Sequence, residues 1–168
     1  LSAGNEGYLS DGSVQWMTAG KGVIHSEMPE QTDGLSRGFQ LWLNLPKKLK
    51  MIEPSYNDIP AESIPKVNIP GGCIKVICGE INGMKGPGRA HTGMLYYDIS
   101  LSPGNNIEIS VDDDWNSFIY VYNGKAKIAN RSLNSGQLGV LSDSGIVDLH
   151  ADGSSDLKCI IVGGEKLN

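Results

Sequence analysis

The stretch Tyr120-Val121-Tyr122-Asn123-Gly124-Lys125-Ala126-Lys127-Ile128 decides the fold class. Asn-Gly accepts the positive φ angles that a two-residue turn demands, and the flanking residues are β-formers or alternate in polarity, so the sequence predicts a β-hairpin here. Working outward, runs of the same kind recur at short intervals. They are Ile74 to Cys78, Leu95 to Leu101, Ile107 to Val111, Ser117 to Tyr122, Lys125 to Ala129, Gln137 to Leu141, Gly145 to Leu149 and Leu157 to Val162. Farther back stand Val14 to Thr18, Val23 to Glu27 before Pro29, and the alternating run Phe39 to Leu45 closed by Pro46. Residues 46 to 72 hold most of the prolines and no sustained helical period, and read as a connector with at most one helical turn near Ala61 to Ser63. Strands at this spacing imply an all-β sandwich or barrel.

Composition agrees. Twenty-two of 168 residues are glycine, without a collagen period, and 39% hydrophobic with 20% charged content is too apolar for a disordered chain. Fourteen basic against nineteen acidic residues leave a net charge of −5, and Lys47, Lys48 and Lys50 form the one basic cluster, so direct binding to a nucleic-acid backbone is not expected. No run reaches the roughly 18 apolar residues of a membrane helix. Cys73 and Cys78 lie in one predicted strand, about 17 Å apart at strand rise, whereas bridged Cα atoms lie within about 7 Å. With three cysteines in all, the expectation is no structural disulfide and a reducing compartment.

Few side chains suggest chemistry. His25 and Glu27, at i and i+2 of a presumed strand, leave the same face, the geometry by which one strand can offer a metal an imidazole nitrogen and a carboxylate oxygen. Spacing alone favours a structural or solvated pair. His91, in Arg89-Ala90-His91-Thr92, and His150, two residues after Asp148, read as loop or surface histidines. Asp112-Asp113-Asp114 lacks the periodicity of a calcium loop. Gly83, Gly86 and Gly88 surround Pro87 with no helix following, which argues against a phosphate cradle. Asn130-Arg131-Ser132 is a formal glycosylation sequon of no consequence inside a cell, and Trp16, Trp42 and Trp115 read as core.

The stretch Gly12-Ser13-Val14-Gln15-Trp16-Met17-Thr18-Ala19-Gly20-Lys21-Gly22-Val23-Ile24-His25-Ser26-Glu27-Met28-Pro29 closely resembles the signature of the pirin family, a branch of the cupin superfamily. Gly38 to Pro46, Met51-Ile52-Glu53-Pro54 with Tyr56, Gly79-Glu80, Leu95 to Asp98, Ser102-Pro103-Gly104, Trp115 to Gly124 and Val162 to Glu165 resemble its later blocks in order. The resemblance implies a bicupin of two β-barrels: a partial N-terminal barrel with connector over residues 1–66, and a C-terminal barrel without a metal site over 67–168, complete from about Val67 to Val162. It also implies one Fe(II) in the N-terminal barrel, held by three His and one Glu, with His25 and Glu27 at the positions of the third His and the Glu. The His-X-His pair that supplies the other two is not in this sequence, so the chain is expected to be a pirin lacking that segment and the C-terminal tail, and to bind iron weakly or not at all.

Two functions follow from the resemblance, and a third reading from the missing ligands. One is quercetin 2,3-dioxygenase activity on a flavonol with O2, with Glu27 as ligand and as catalytic base. The second is a nuclear transcriptional co-regulator in which iron acts as a redox switch for a regulatory protein partner. The third is a remnant without a complete metal site. A monomer in the cytoplasm or nucleus is expected in each.

Overall fold

The computed structural model describes residues 7–30, 33–142 and 145–167. Among them there is no α-helix, and the strands form an all-β fold. A four-stranded antiparallel sheet has the order β11 (Arg131–Asn134), β10 (Lys125–Ile128), β13 (Ile146–Ala151), β8 (Asn106–Ser110). A six-stranded sheet has the order β12 (Leu138–Val140), β9 (Asn116–Asn123), β14 (Leu157–Gly164), β7 (Met94–Leu101), β4 (Gly72–Cys78), β3 (Lys66–Ile69). Two two-stranded antiparallel sheets complete the set: β1 (Val14–Thr18) with β2 (Ser55–Ile59), joined through residues 19–54, and the hairpin of β5 (Glu80–Ile81) with β6 (Met84–Lys85).

Period-two side-chain alternation builds the core between the two large sheets. Leu95, Tyr97, Ile99 and Leu101 of β7 point inward with Ile74 and Val76 of β4 and with Leu157, Cys159 and Ile161 of β14. They meet Ile109, Ala126, Val147, Leu149 and Ala151 from the four-stranded sheet. The other face of the six-stranded sheet is not solvated throughout. At one end it is apolar, with Met94, Tyr96, Ile160 and Val162, and Ile59 and Ile64 pack onto it together with the partly buried Val14, Trp16 and Leu41. A register shift between Val76 and Cys78 gives β4 an extra residue there. This β-bulge lets Ile77 and Cys78, although adjacent, both join the outer cluster.

The expected hairpin at Asn123-Gly124 does not form. β9 pairs with β12 and β14, whereas β10 pairs with β11 and β13, so this dipeptide is the corner where the chain leaves one sheet for the other. Gly124 has φ +73°, and a Cβ there would sit 2.5 Å from the Asp156 carbonyl oxygen; Asn123 Nδ2 donates to the same oxygen at 2.7 Å. The Asn-Gly hairpin of this chain is Asn82-Gly83, with φ values of +51° and +75°, which joins β5 to β6.

Two further expectations fail in the first quarter. Val23 to Glu27 and Phe39 to Leu45 are not strands, because among the described residues neither has a ladder partner. The second segment is held instead by side chains: the Phe39 ring lies 5.8 Å from Tyr120 and 5.3 Å from Tyr122, and the Arg37 guanidinium sits 5.8 Å over Tyr122. Trp42, read as core, is 86% exposed. The connector carries more structure than its prolines suggested, with β2, β3 and a single 3-10 turn at Lys47–Leu49, while the turn at Ala61–Ser63 lies where it was expected.

Candidate functional site

The segment that carries His25 and Glu27 begins at a pinned turn. Gly20 has φ +51°, and a Cβ there would lie 2.1 Å from the Ile52 carbonyl oxygen, so glycine is required by both conformation and contact. The Lys21 amide donates to that oxygen at 3.0 Å, and the Lys21 ammonium pairs with Glu53 at 2.5 Å. Val23 to Met28 then continues along the surface without a ladder. His25 Nε2 and Glu27 Oε1 come within 3.8 Å, with side chains 32% and 58% exposed. The two candidate donors therefore converge even though the strand that was expected to align them is absent.

β1 and β2 add neighbours. The Tyr56 hydroxyl donates to Asp58 Oδ1 at 2.5 Å. Its pKa is pushed up to about 12, first by partial burial, then by the hydrogen bond to Asp58 and the charge of that carboxylate, and in the same direction by the charge of Glu27. Glu27 and Tyr56 thus share one local field. Gln15, opposite Asp58 in the β1–β2 ladder, hydrogen-bonds Tyr56 and acts the other way. Sequence reasoning quoted Tyr56 without a role and passed over Asp58. The readable signal was their i, i+2 spacing, which in a strand puts phenol and carboxylate on one face.

The other candidates are placed apart. His91 Nε2 is 3.4 Å from Thr18 Oγ1 and ties the loop before β7 to the end of β1. His150 Nε2 lies 2.8 Å from Asp148 Oδ2 on the four-stranded sheet, where the hydrogen bond from His150, then that from Asn106, lowers the Asp148 pKa. Asp112 to Asp114 are exposed between β8 and β9. Among the described residues no three His, Cys, Asp or Glu side chains come together as a metal cluster. His25 and Glu27 are of the right chemistry for iron, an imidazole nitrogen and a carboxylate oxygen, but two donors alone do not make a closed site. All three cysteines are free thiols, Cys78 and Cys159 buried and Cys73 partly exposed.

Comparison with known proteins places these features in context. The Pirin family model matches residues 2–43, and that of the Pirin C-terminal cupin domain matches 96–168. A pirin-like protein of Caulobacter vibrioides is 44% identical over 80% of this chain and 50% of its own length. Human pirin is 34% identical over 98% of this chain and 58% of its own. A Pseudomonas aeruginosa protein described as "Putative quercetin 2,3-dioxygenase" is 36% identical over 98% of this chain and 60% of its own. The chain spans about half the length of the curated relatives it matches. Among solved structures, a quercetin 2,3-dioxygenase from Acinetobacter baumannii superposes with a TM-score of 0.82 over 99% of this chain and 60% of its own, at 23% identity, a likeness of fold. A Geobacillus kaustophilus protein does so with a TM-score of 0.80 at 27% identity, over 95% of this chain and 66% of its own.

Proposed function

The chain belongs to the pirin family, and from that premise we propose that His25 and Glu27 are two donors of an iron centre that oxygenates a flavonol of the quercetin class. The observation that carries the proposal is the approach of His25 Nε2 to Glu27 Oε1, 3.8 Å apart, inside the segment matched by the Pirin model. The similarity to the Pseudomonas relative described as "Putative quercetin 2,3-dioxygenase" suggests the reaction class.

Ferrous iron held with open positions supplies Lewis acidity and redox contact with O2. The described residues do not complete its ligand set. What the chain's own groups contribute is positional. The turn at Gly20 and the Lys21–Glu53 pair fix where the segment leaves β1, and Glu27 presents a carboxylate able to hold a proton at an oxygen atom.

A second reading takes the iron as a redox switch on a surface that docks a transcription-regulatory protein. It draws support from the apolar side chains exposed along the same segment: Ile24, Met28, Leu35 and Trp42 are each about four-fifths exposed or more.

Oxygen uptake with quercetin and Fe(II), measured on the whole gene product, separates the two. The dioxygenase reading expects quercetin-dependent uptake that falls at least about a hundredfold in His25→Ala, since a lost metal ligand removes the centre rather than a contact. Uptake that His25→Ala leaves intact would refute the assignment, and no uptake by an iron-loaded product would favour the switch.

A further inference from the structure

A cavity of about 480 Å³ opens between the end of β2 with its following turn, which gives Asn57, Asp58, Ile59 and Ser63, and the segment Lys85 to Arg89. That segment is held tightly. The Gly86 amide donates to Gly79 O at 2.9 Å and the Gly88 amide to Ile77 O at 2.8 Å. Cβ atoms at Gly86 and Gly88 would lie 2.6 Å from the Ile77 carbonyl carbon and 2.7 Å from its oxygen, so both glycines lie flush on the end of β4. All five residues from Lys85 to Arg89 line the cavity, and Lys85, Pro87 and Arg89 are the ones that bring side chains to it.

The lining of this cavity carries a positive balance of charge. Lys85 stands opposite Glu80 in the β5–β6 ladder without forming an ion pair with it, and Arg89 forms no ion pair among the described residues. The single acid of the lining, Asp58, already accepts the Tyr56 hydroxyl. Two cations against one carboxylate make the lining positive in a chain of net charge −5. Ser63 Oγ donates to Pro60 O at 2.8 Å, and Asn57 adds a neutral polar residue to the lining.

We propose that this cavity binds a small oxyanion, a carboxylate or phosphate group of a soluble ligand, with the Arg89 guanidinium as a planar fork and the Lys85 ammonium as a point charge beside it. The glycine-pinned segment fixes the backbone at both cations, so the ordering cost of binding falls on the Lys85 and Arg89 side chains. Neither His25 nor Glu27 lines the cavity, although its Asp58 accepts the hydroxyl of Tyr56, which feels the charge of Glu27.

The test is an amide NMR titration of the 168-residue chain with inorganic phosphate and, separately, with succinate, at low ionic strength where such contacts are least screened. Shifts confined to residues 57–63 and 85–89, with a dissociation constant near 1 mM on the order of a two-cation site, are expected. The Lys85→Gln/Arg89→Gln double variant should weaken binding at least about tenfold. Lys127→Gln, on the opposite sheet, should not change it. Unchanged thermal unfolding of the double variant shows that the effect is not loss of fold. Response to phosphate alone identifies a phosphate-bearing ligand, to succinate alone a carboxylate, and to both an oxyanion site without further selection. No shift with either up to about 10 mM, or binding that the double variant does not weaken tenfold, overturns the proposal.

Discussion

Ile59→Ala tests how the first quarter of the chain is attached to the sheets. Ile59 is 2% exposed at the end of β2 and packs with Ile64, Ile77, Cys78 and Met94 on the outer face of the six-stranded sheet. Removing a buried isoleucine to alanine costs about 2–5 kcal/mol, less where the surroundings can close over the gap. Here one wall of the gap is the two-stranded β1–β2 sheet, which can settle inward, so about 2 kcal/mol is expected. The loss should fall on the docking of that small sheet rather than on the sandwich, and at about 1.4 kcal/mol per tenfold it multiplies the undocked population by about 30. Cys78 reports it directly, because its thiol lies in the same cluster and donates toward the Gly88 and Met94 carbonyls, whereas Cys159 is in the inner core. Thiol labelling in native buffer should therefore show Cys78 reacting about 30 times faster in the variant, with Cys159 unchanged. Ile99→Ala, at a fully buried position between the sheets, should cost about 3–5 kcal/mol and expose Cys78 and Cys159 together. If Ile59→Ala accelerates both thiols equally, the β1–β2 sheet and the sandwich unfold as one unit and the reasoning fails.

Three other outcomes follow from the same structure. Titration of the unfolded, unreduced chain should find three free thiols, and only Cys73 should react quickly in the native protein; a count of one would show a disulfide. Burial pushes Tyr96 and Tyr97 up to about 12 from 10, and Cys159 up to about 12 from 9. Folded-state values above the unfolded ones mean stability that is whole below about pH 9 and lost as pH rises toward 12. Alkaline unfolding followed by tyrosinate absorbance should run through that window, and Tyr96→Phe should flatten its slope; an unaltered slope would remove Tyr96 from the account. Gly86→Ala should destabilise the protein by about 1–3 kcal/mol in urea unfolding, since the new Cβ meets backbone and not a yielding side chain. Gly104→Ala, with open space around it but φ +79°, should cost only about 1–2 kcal/mol, entirely as backbone strain. Equal insensitivity at both would contradict the close packing of residues 86–88 on β4.

What could be read from the sequence was what local pattern controls. Val14–Thr18 appears as a strand at the predicted residues, and the long central strands β4, β7, β9 and β14 appear within a few residues of their predicted ends, because alternation over five or more residues fits only a pleated sheet with a buried face. What failed was partner choice. Asn123-Gly124 and Asn82-Gly83 look alike locally, yet the first sits between β9 and β10, whose better partners are β14 and β13, and the second between two-residue strands that among the described residues pair with each other. Val23 to Glu27 and Phe39 to Leu45 alternate correctly but find no ladder, so pattern without a partner leaves an extended segment. β3 went unread because Pro65 and Pro70 bracket it; proline is tolerated at the start and edge of a sheet, and β3 is an edge strand. At the candidate site, His25 and Glu27 were legible from spacing and from resemblance together, whereas the Tyr56–Asp58 pair depends on β2, a strand the prolines concealed.

The most direct test of the central claim, that His25 and Glu27 act as a pair of iron donors, is an anaerobic Fe(II) titration of the 168-residue chain beside its His25→Ala, Glu27→Gln, His91→Ala and His150→Ala variants. With two donors 3.8 Å apart and no third among the described residues, weak binding is predicted. It should weaken by at least about tenfold on loss of either His25 or Glu27 and stay unchanged on loss of His91 or His150. Binding that ignores His25→Ala and Glu27→Gln, or that disappears with His91 or His150, would contradict the assignment.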